Sequence, residues 1–135
     1  MLESVRQQEN FINANAGGLP VGTVVAALNV TDTLRAVIAT AAQHPLDMHG
    51  IIAIHGIVED YLPTTLHAYL SLDPSATDVV RPSGRTTKQS LLEQVEALWL
   101  AANDLLTATR ARDADALLIQ GSFLSTKFGR TDLDL

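Results

Sequence analysis

The chain has 135 residues and a formal net charge of −6, and 47% of its residues are hydrophobic while 18% are charged. This length fits one domain and leaves no room for a second catalytic domain. The apolar content excludes an intrinsically disordered chain. The absence of cysteine excludes disulfides and thiolate metal sites, and the acidic balance argues against nucleic acid as a partner.

Localisation is predicted from two observations. Residues 1–18 lack the apolar segment of a signal peptide. The most apolar window, residues 50–58, is far shorter than the roughly 20 apolar residues that a membrane span needs. We therefore expect a soluble cytoplasmic protein that does not bind membranes.

The N-terminal third is predicted to be helical. A first helix covers residues 2–15 and ends at Gly17-Gly18-Leu19-Pro20, so that residues 1–18 could act as an N-terminal arm. Residues 21–42 are also compatible with a helix. N-cap residue types at 29–32 predict that this helix restarts there, and the β-branched residues of 21–25 leave a short strand open as an alternative.

A third helix is predicted from a cap at Asp47 to about Leu70. Its residues 51–58 are apolar nearly all round, which predicts a position at the centre of a bundle. Gly50 and Gly56 predict close approach of another helix backbone. Pro63 should kink this helix, because proline lacks the backbone N–H that the helix needs.

A long loop over residues 71–86 precedes the most regular helical pattern of the chain. Thr86 and Gln89 have the spacing of a capping box. Two apolar rows then follow at helical spacing, and they predict a wide face packed in a bundle. A break is expected at 110–113, a last helix over 117–128, and a loose tail over 130–135. The first row is Leu91, Val95, Leu98, Ala102, Leu105 and Thr109, and the second is Leu92, Trp99 and Leu106.

Together these elements predict an all-α fold. Residues 1–135 should form a single-domain bundle of four or five helices with a kink at Pro63.

Four side chains near Pro63 are candidates for a ligand-binding pocket: His55, Glu59, Tyr61 and His67. His55 and Glu59 are four residues apart and share one helical face. The spacings that bundle di-metal sites and zinc proteases use do not occur. We therefore expect no metal and no cofactor, and core or surface histidines are the alternative to a pocket.

The sequence carries no recognisable catalytic motif. There is no Gly-x-Ser-x-Gly elbow and no thiol nucleophile. Glu59 and Asp60 form the only adjacent acidic pair of the helices, but neighbouring helical residues point about 100° apart, so a solvated face explains them better. No catalytic residue is assigned, and we expect a protein that is not an enzyme.

Three cations precede the most regular helix: Arg81, Arg85 and Lys88. A helix N-terminus with nearby cations can bind an anion or a phosphate group. The segment is not a phosphate-binding loop, however, because the preceding strand and the Gly-Lys-Ser/Thr order are missing. Ordinary helix capping is the alternative.

The second half of the chain also resembles a known family. Tyr61-Leu62-Pro63 with Leu66 and Tyr69, the run at 90–95 (SLLEQV) and the run at 113–128 (DADALLIQGSFLSTKF) carry the likeness. They resemble the XpaC-like proteins, which are named for 5-bromo-4-chloroindolyl phosphate hydrolysis, and related uncharacterised actinobacterial proteins. The resemblance spans about 59–129 and implies an all-α module. Because the chain shows no metal-binding set for a phosphatase, that activity is not carried over.

Two functions remain open at this point. The wide apolar face of the 87–109 helix favours a non-enzymatic protein-interaction module that binds a protein partner or itself, as a homodimer. The alternative is a helical bundle that binds a small molecule or metal in a pocket near Pro63, with a hydrolase as one form of this alternative.

Overall fold

The computed structural model describes residues 1–43 and 45–118, and of the last helix it describes side chains up to residue 112. Within these ranges the fold is all-α, as predicted. Helix α1 is Leu2–Ala14, α2 is Val21–Ala41, α3 is Met48–His55, α4 is Leu62–Leu70 and α5 is Thr87–Leu118. The predicted last helix beyond Leu118, with the tail at 130–135, lies outside the described residues.

Helices α3 and α4 belong to one continuous helical rod. They are joined by the π-helical segment Gly56–Tyr61, which ends two residues before Pro63 in the first turn of α4. A π-helical turn accommodates an extra residue, and it is one of the established ways in which a helix departs from regular geometry. The departure from regular helix geometry that we expected at Pro63 therefore lies in the turn before this residue. In the described part of the chain the bundle thus has four rods: α1, α2, the α3–α4 rod and α5.

Contacts between the rods show their directions. Ser4 and Phe11 of α1 touch Glu59 and His67 of the α3–α4 rod, so these two rods run in the same direction. Gly22 at the start of α2 faces Leu92 near the start of α5. At the other end, beyond α2, the Arg112 guanidinium lies 3.4 Å from the carbonyl oxygen of Pro45. Helices α2 and α5 are therefore parallel, and the chain runs up, down, up and down.

The centre of the bundle is α2, and the expectation that residues 51–58 form it is wrong. Helix α2 contacts α1 and packs most extensively against α5. In α3, by contrast, Met48 and Ile52 are 67% and 61% exposed. The α3–α4 rod is covered mainly on one side, because the core space is already filled by α2. The residues that α2 buries are Thr23, Ala26, Ala27, Val30, Thr31, Leu34 and Val37.

Two predicted breaks do not occur. Helix α2 continues through 29–32, where Thr31 donates a hydrogen bond to the Leu28 carbonyl instead of capping a new helix. The strand alternative at 21–25 is excluded by the same helix. Helix α5 continues through 110–113, a stretch without glycine or proline. Arg112 there is 3.7 Å from Asp47, which ties α5 to the start of α3.

The caps of α3 and α5 agree with the prediction. Asp47 accepts a hydrogen bond from the Gly50 N–H at 2.8 Å. Thr86 and Gln89 form a reciprocal capping box, in which each side chain accepts from the backbone N–H of the other. Gly50 and Gly56 do not face another helix backbone, however: their nearest neighbours are Leu46 and the Tyr61 ring.

Helix α2 is also the one helix of the described ranges that is long and apolar enough to cross a bilayer by length and composition alone. The core helix of a soluble bundle meets the same test. Its buried side chains here contact the rest of the chain.

Replacing Leu34 by alanine tests the central position of α2. Leu34 is fully buried, and we expect Leu34→Ala to lower the free energy of unfolding by about 2–5 kcal/mol, because a cavity remains. Leu100→Ala is the matched control, since Leu100 is 64% exposed on α5 and its loss should change stability by at most about 0.5 kcal/mol. Chemical denaturation measures both, and equal losses would contradict the assignment.

A pair of threonines on α2 tests the cost of an unpaired hydroxyl. Thr23 and Thr31 are both fully buried, but only Thr31 has a hydrogen-bond partner in the described chain. We expect Thr23→Val to raise the free energy of unfolding by about 1 kcal/mol, because an unsatisfied buried polar group is costly. Thr31→Val should not stabilise. Equal effects of the two substitutions in denaturation experiments would refute this explanation.

Candidate functional site

Glu59 connects α1 with the α3–α4 rod. Its carboxylate lies 3.0 Å from Nδ1 of His55 and accepts a hydrogen bond of 2.9 Å from the Ser4 hydroxyl. The hydrogen bonds from His55 and then from Ser4 lower the pKa of Glu59, against a smaller opposing effect of desolvation. The side chains of His55 and Glu59 are each nearly half exposed, so this cluster sits at the surface.

The other two candidates near Pro63 have different neighbours. The Tyr61 side chain is 58% exposed and its ring lies over Gly56, 3.4 Å from the position that a Cβ there would take. The His67 ring stacks on Phe11 of α1, with the ring centroids 4.4 Å apart. Of the four predicted residues, His55 and Glu59 are brought into contact. Tyr61 and His67 make no hydrogen bond or ion pair with them in the described part of the chain.

The three predicted anion-binding cations lie near the start of α5. Arg85 forms an ion pair with Glu93, and Lys88 forms one with Asp78 at 3.0 Å. Arg81 contributes its backbone to a turn with Arg85. The backbone N–H groups of Thr86 and Gln89 are occupied by the capping box. Two of the three charges are therefore already neutralised by carboxylates.

Among the described residues, no cluster of three or more histidine, aspartate and glutamate side chains could hold a metal ion.

A cleft of about 440 Å³ lies at the end of the bundle where α4 terminates. The Gly17–Pro20 turn forms one wall, the end of α4 and the following loop form another, and Lys88 comes from α5. Sequence reasoning missed this cleft, because both connecting segments were interpreted as linkers. The glycine and proline content of the two segments could have indicated structured turns, but the sequence does not show that the two segments lie close together.

The exposed face of the α3–α4 rod is a second feature that the sequence did not reveal. Met48, Ile52 and Gly56 follow each other at intervals of four residues, and Tyr61 comes five residues later through the π-helical segment. The contact between the Tyr61 ring and Gly56 keeps Tyr61 on the same side as Gly56. We call Met48, Ile52 and Tyr61 the apolar stripe.

Comparison with known proteins returns no relatives. No protein-family model matches the chain, and no curated protein or solved structure is significantly similar to it. The resemblance of 59–129 to the XpaC-like proteins stays a prediction.

The pKa of Glu59 tests the cluster at the surface. A titration followed by NMR of the side-chain carboxyl carbon should give a pKa below the usual glutamate value, and Ser4→Ala should raise it by removing one donor. Ser90→Ala, a serine on α5 outside this cluster, serves as the control and should leave the Glu59 pKa unchanged.

The sign of the linked stability effect follows from the lowered pKa. The contribution of Glu59 to stability is fully present above its pKa in the unfolded chain and is lost as the pH falls through the folded-state pKa. Ser4→Ala should therefore reduce the acid-side loss of stability relative to the wild type. An unchanged pKa of Glu59 in Ser4→Ala would contradict the hydrogen bond.

Proposed function

We propose that this protein is a non-enzymatic helical module that acts by binding protein, first of all a second copy of itself. The observation that carries the proposal is the apolar stripe, whose three side chains are each more than half exposed. Large exposed apolar side chains that adjoin one another on a helix are typical of interaction surfaces. The interaction face predicted on α5 supports the proposal less, because the row of Leu92, Trp99 and Leu106 is partly buried against the core.

The charge distribution of α3 is compatible with a second copy as the partner. The chain carries a net charge of −6, so two copies repel each other at long range. Residues 48–58 contain no aspartate, glutamate, lysine or arginine. Two copies can therefore approach through this segment without bringing like charges together. A twofold arrangement would cross the two α3 helices, with Ile52 of one copy against Ile52 of the other.

The size of the stripe sets the expected strength of the dimer. Three partly buried side chains per copy contribute about 1–2 kcal/mol each on full burial. Association costs at least about 4 kcal/mol in lost translational and rotational freedom. At the middle of that range the six side chains of a dimer contribute about 9 kcal/mol, which leaves about 5 kcal/mol and a weak dimer with a Kd on the order of 100 µM.

The proposal includes a bacterial, cytoplasmic setting. The resemblance to actinobacterial proteins supports the first part. The second is supported by α2, whose middle residues pack into the bundle, while Val21 and Val25 at its start are exposed. A pocket near Pro63 is the weaker alternative, since it relies on the His55–Glu59 pair alone.

Sedimentation equilibrium of the wild type and two matched variants tests self-association. We expect a concentration-dependent dimer in the wild type, and Ile52→Glu should weaken it by at least about tenfold, because it puts two carboxylates into the contact. Leu100→Glu places the same charge on a side chain of similar exposure on α5 and should leave the Kd unchanged.

Two results would overturn the proposal for a second copy. One is a wild type that stays monomeric at concentrations about tenfold above the expected Kd. The other is equal weakening by Ile52→Glu and Leu100→Glu, which would indicate a general effect of added charge.

A further inference from the structure

The cleft at the end of the bundle combines an apolar wall with polar groups that come from separate elements. Leu70 and Leu72 supply apolar surface, and Pro20 and Pro74 add rigid segments on either side. Its volume of about 440 Å³ falls within the range of small-molecule sites, which runs from roughly 300 to 1,000 Å³. Such sites combine mostly apolar walls with a few placed polar groups.

Tyr69 is the first of these polar groups. Its side chain lines the cleft and is only 8% exposed, yet its hydroxyl makes no hydrogen bond within the described residues. A buried tyrosine hydroxyl usually has a partner. This hydroxyl is also not among the fully enclosed unpaired side-chain atoms of the described chain, so solvent can reach it. Tyr69 therefore presents a free donor to the cleft.

Lys88 is the second polar group. Its ammonium lies 3.0 Å from the Asp78 carboxylate, and an ammonium can donate three hydrogen bonds. The hydrogen bond to Asp78 is the main cause that raises the pKa of Lys88, and Tyr69 is close enough to contribute electrostatically. The Asp78 carboxylate that neutralises Lys88 also lines the cleft. Its side chain is 76% exposed, so a ligand carboxylate can replace it on Lys88 while Asp78 turns to solvent at little cost.

We propose that this cleft binds a small organic carboxylate with an apolar body. Both carboxylate oxygens are acceptors, and they match two donors of residues that line this cleft, the Tyr69 hydroxyl and the Lys88 ammonium. The apolar body lies against Leu70 and Leu72. This site is distinct from the surface cluster at Glu59, and it does not depend on the proposed self-association.

Octanoate is the probe for this site, and octanol is its uncharged counterpart of the same chain length. We expect octanoate to bind the full chain saturably, with a Kd on the order of 1 mM for so small a ligand. Amide NMR signals of Gly18, Leu70, Thr77 and Lys88 should shift on titration, and octanol should bind at least about tenfold more weakly.

Two conservative variants with matched controls assign the donors. Tyr69→Phe removes only the hydroxyl and should weaken octanoate binding by about tenfold, and Lys88→Met should do the same. Tyr61→Phe and Arg81→Met change a tyrosine and a cation outside this cleft and should leave the Kd unchanged. Melting curves of all four variants check that each is folded.

Three results would overturn the proposal. The first is that octanoate shows no saturable binding up to about 10 mM. The second is that octanol binds as tightly as octanoate. The third is that Tyr69→Phe and Tyr61→Phe weaken octanoate binding equally. Self-association would be unaffected by any of them, so the two proposals fail separately.

Discussion

The packing of α2 against α5 is the contact on which the rest of the fold depends. Small residues allow these two parallel helices to approach closely: Gly22 faces Leu92, and Ala26, Ala27 and Ala102 are buried. Close packing recovers dispersion contacts that larger and irregular side chains would prevent. Because the two helices fill the centre, α1 and the α3–α4 rod must pack around them.

The exposed apolar stripe follows from that arrangement. The α3–α4 rod buries Ile54, Ile57 and Val58 against the bundle but leaves Met48 and Ile52 facing outward. The π-helical segment adds a residue to the rod, and Tyr61 thereby lies over Gly56. A rod that is apolar on nearly all sides and covered on one side exposes apolar side chains on the other. The same geometry explains why the Glu59 cluster, next to α1, lies at the surface rather than in a core pocket.

The sequence predicted the helix caps correctly where the conformation depends only on neighbouring residues. Asp47 caps α3 and Thr86 with Gln89 caps α5, because capping needs only residues within one turn. The prediction of a new helix start at 29–32 was wrong, because residue types that can cap a helix lie inside α2 there. The Thr31 hydroxyl donates to a carbonyl of the preceding turn instead. The placement of distant segments was not predictable. Only packing brings Ser4 to Glu59 and makes the Gly17–Pro20 turn and Lys88 line one cleft.

The sequence by itself determined that this protein is helical, where most helices begin, and that Pro63 disturbs one of them, since helix propensity, capping and proline geometry act over a few residues. Tertiary structure decided which apolar helix became the core. Residues 51–58 are as apolar as a central helix requires, but α2 carries small residues that let a neighbour approach, and only packing in three dimensions distinguishes the two. Packing in three dimensions also leaves α3 partly exposed and places Tyr69 and Lys88 in the lining of one cleft.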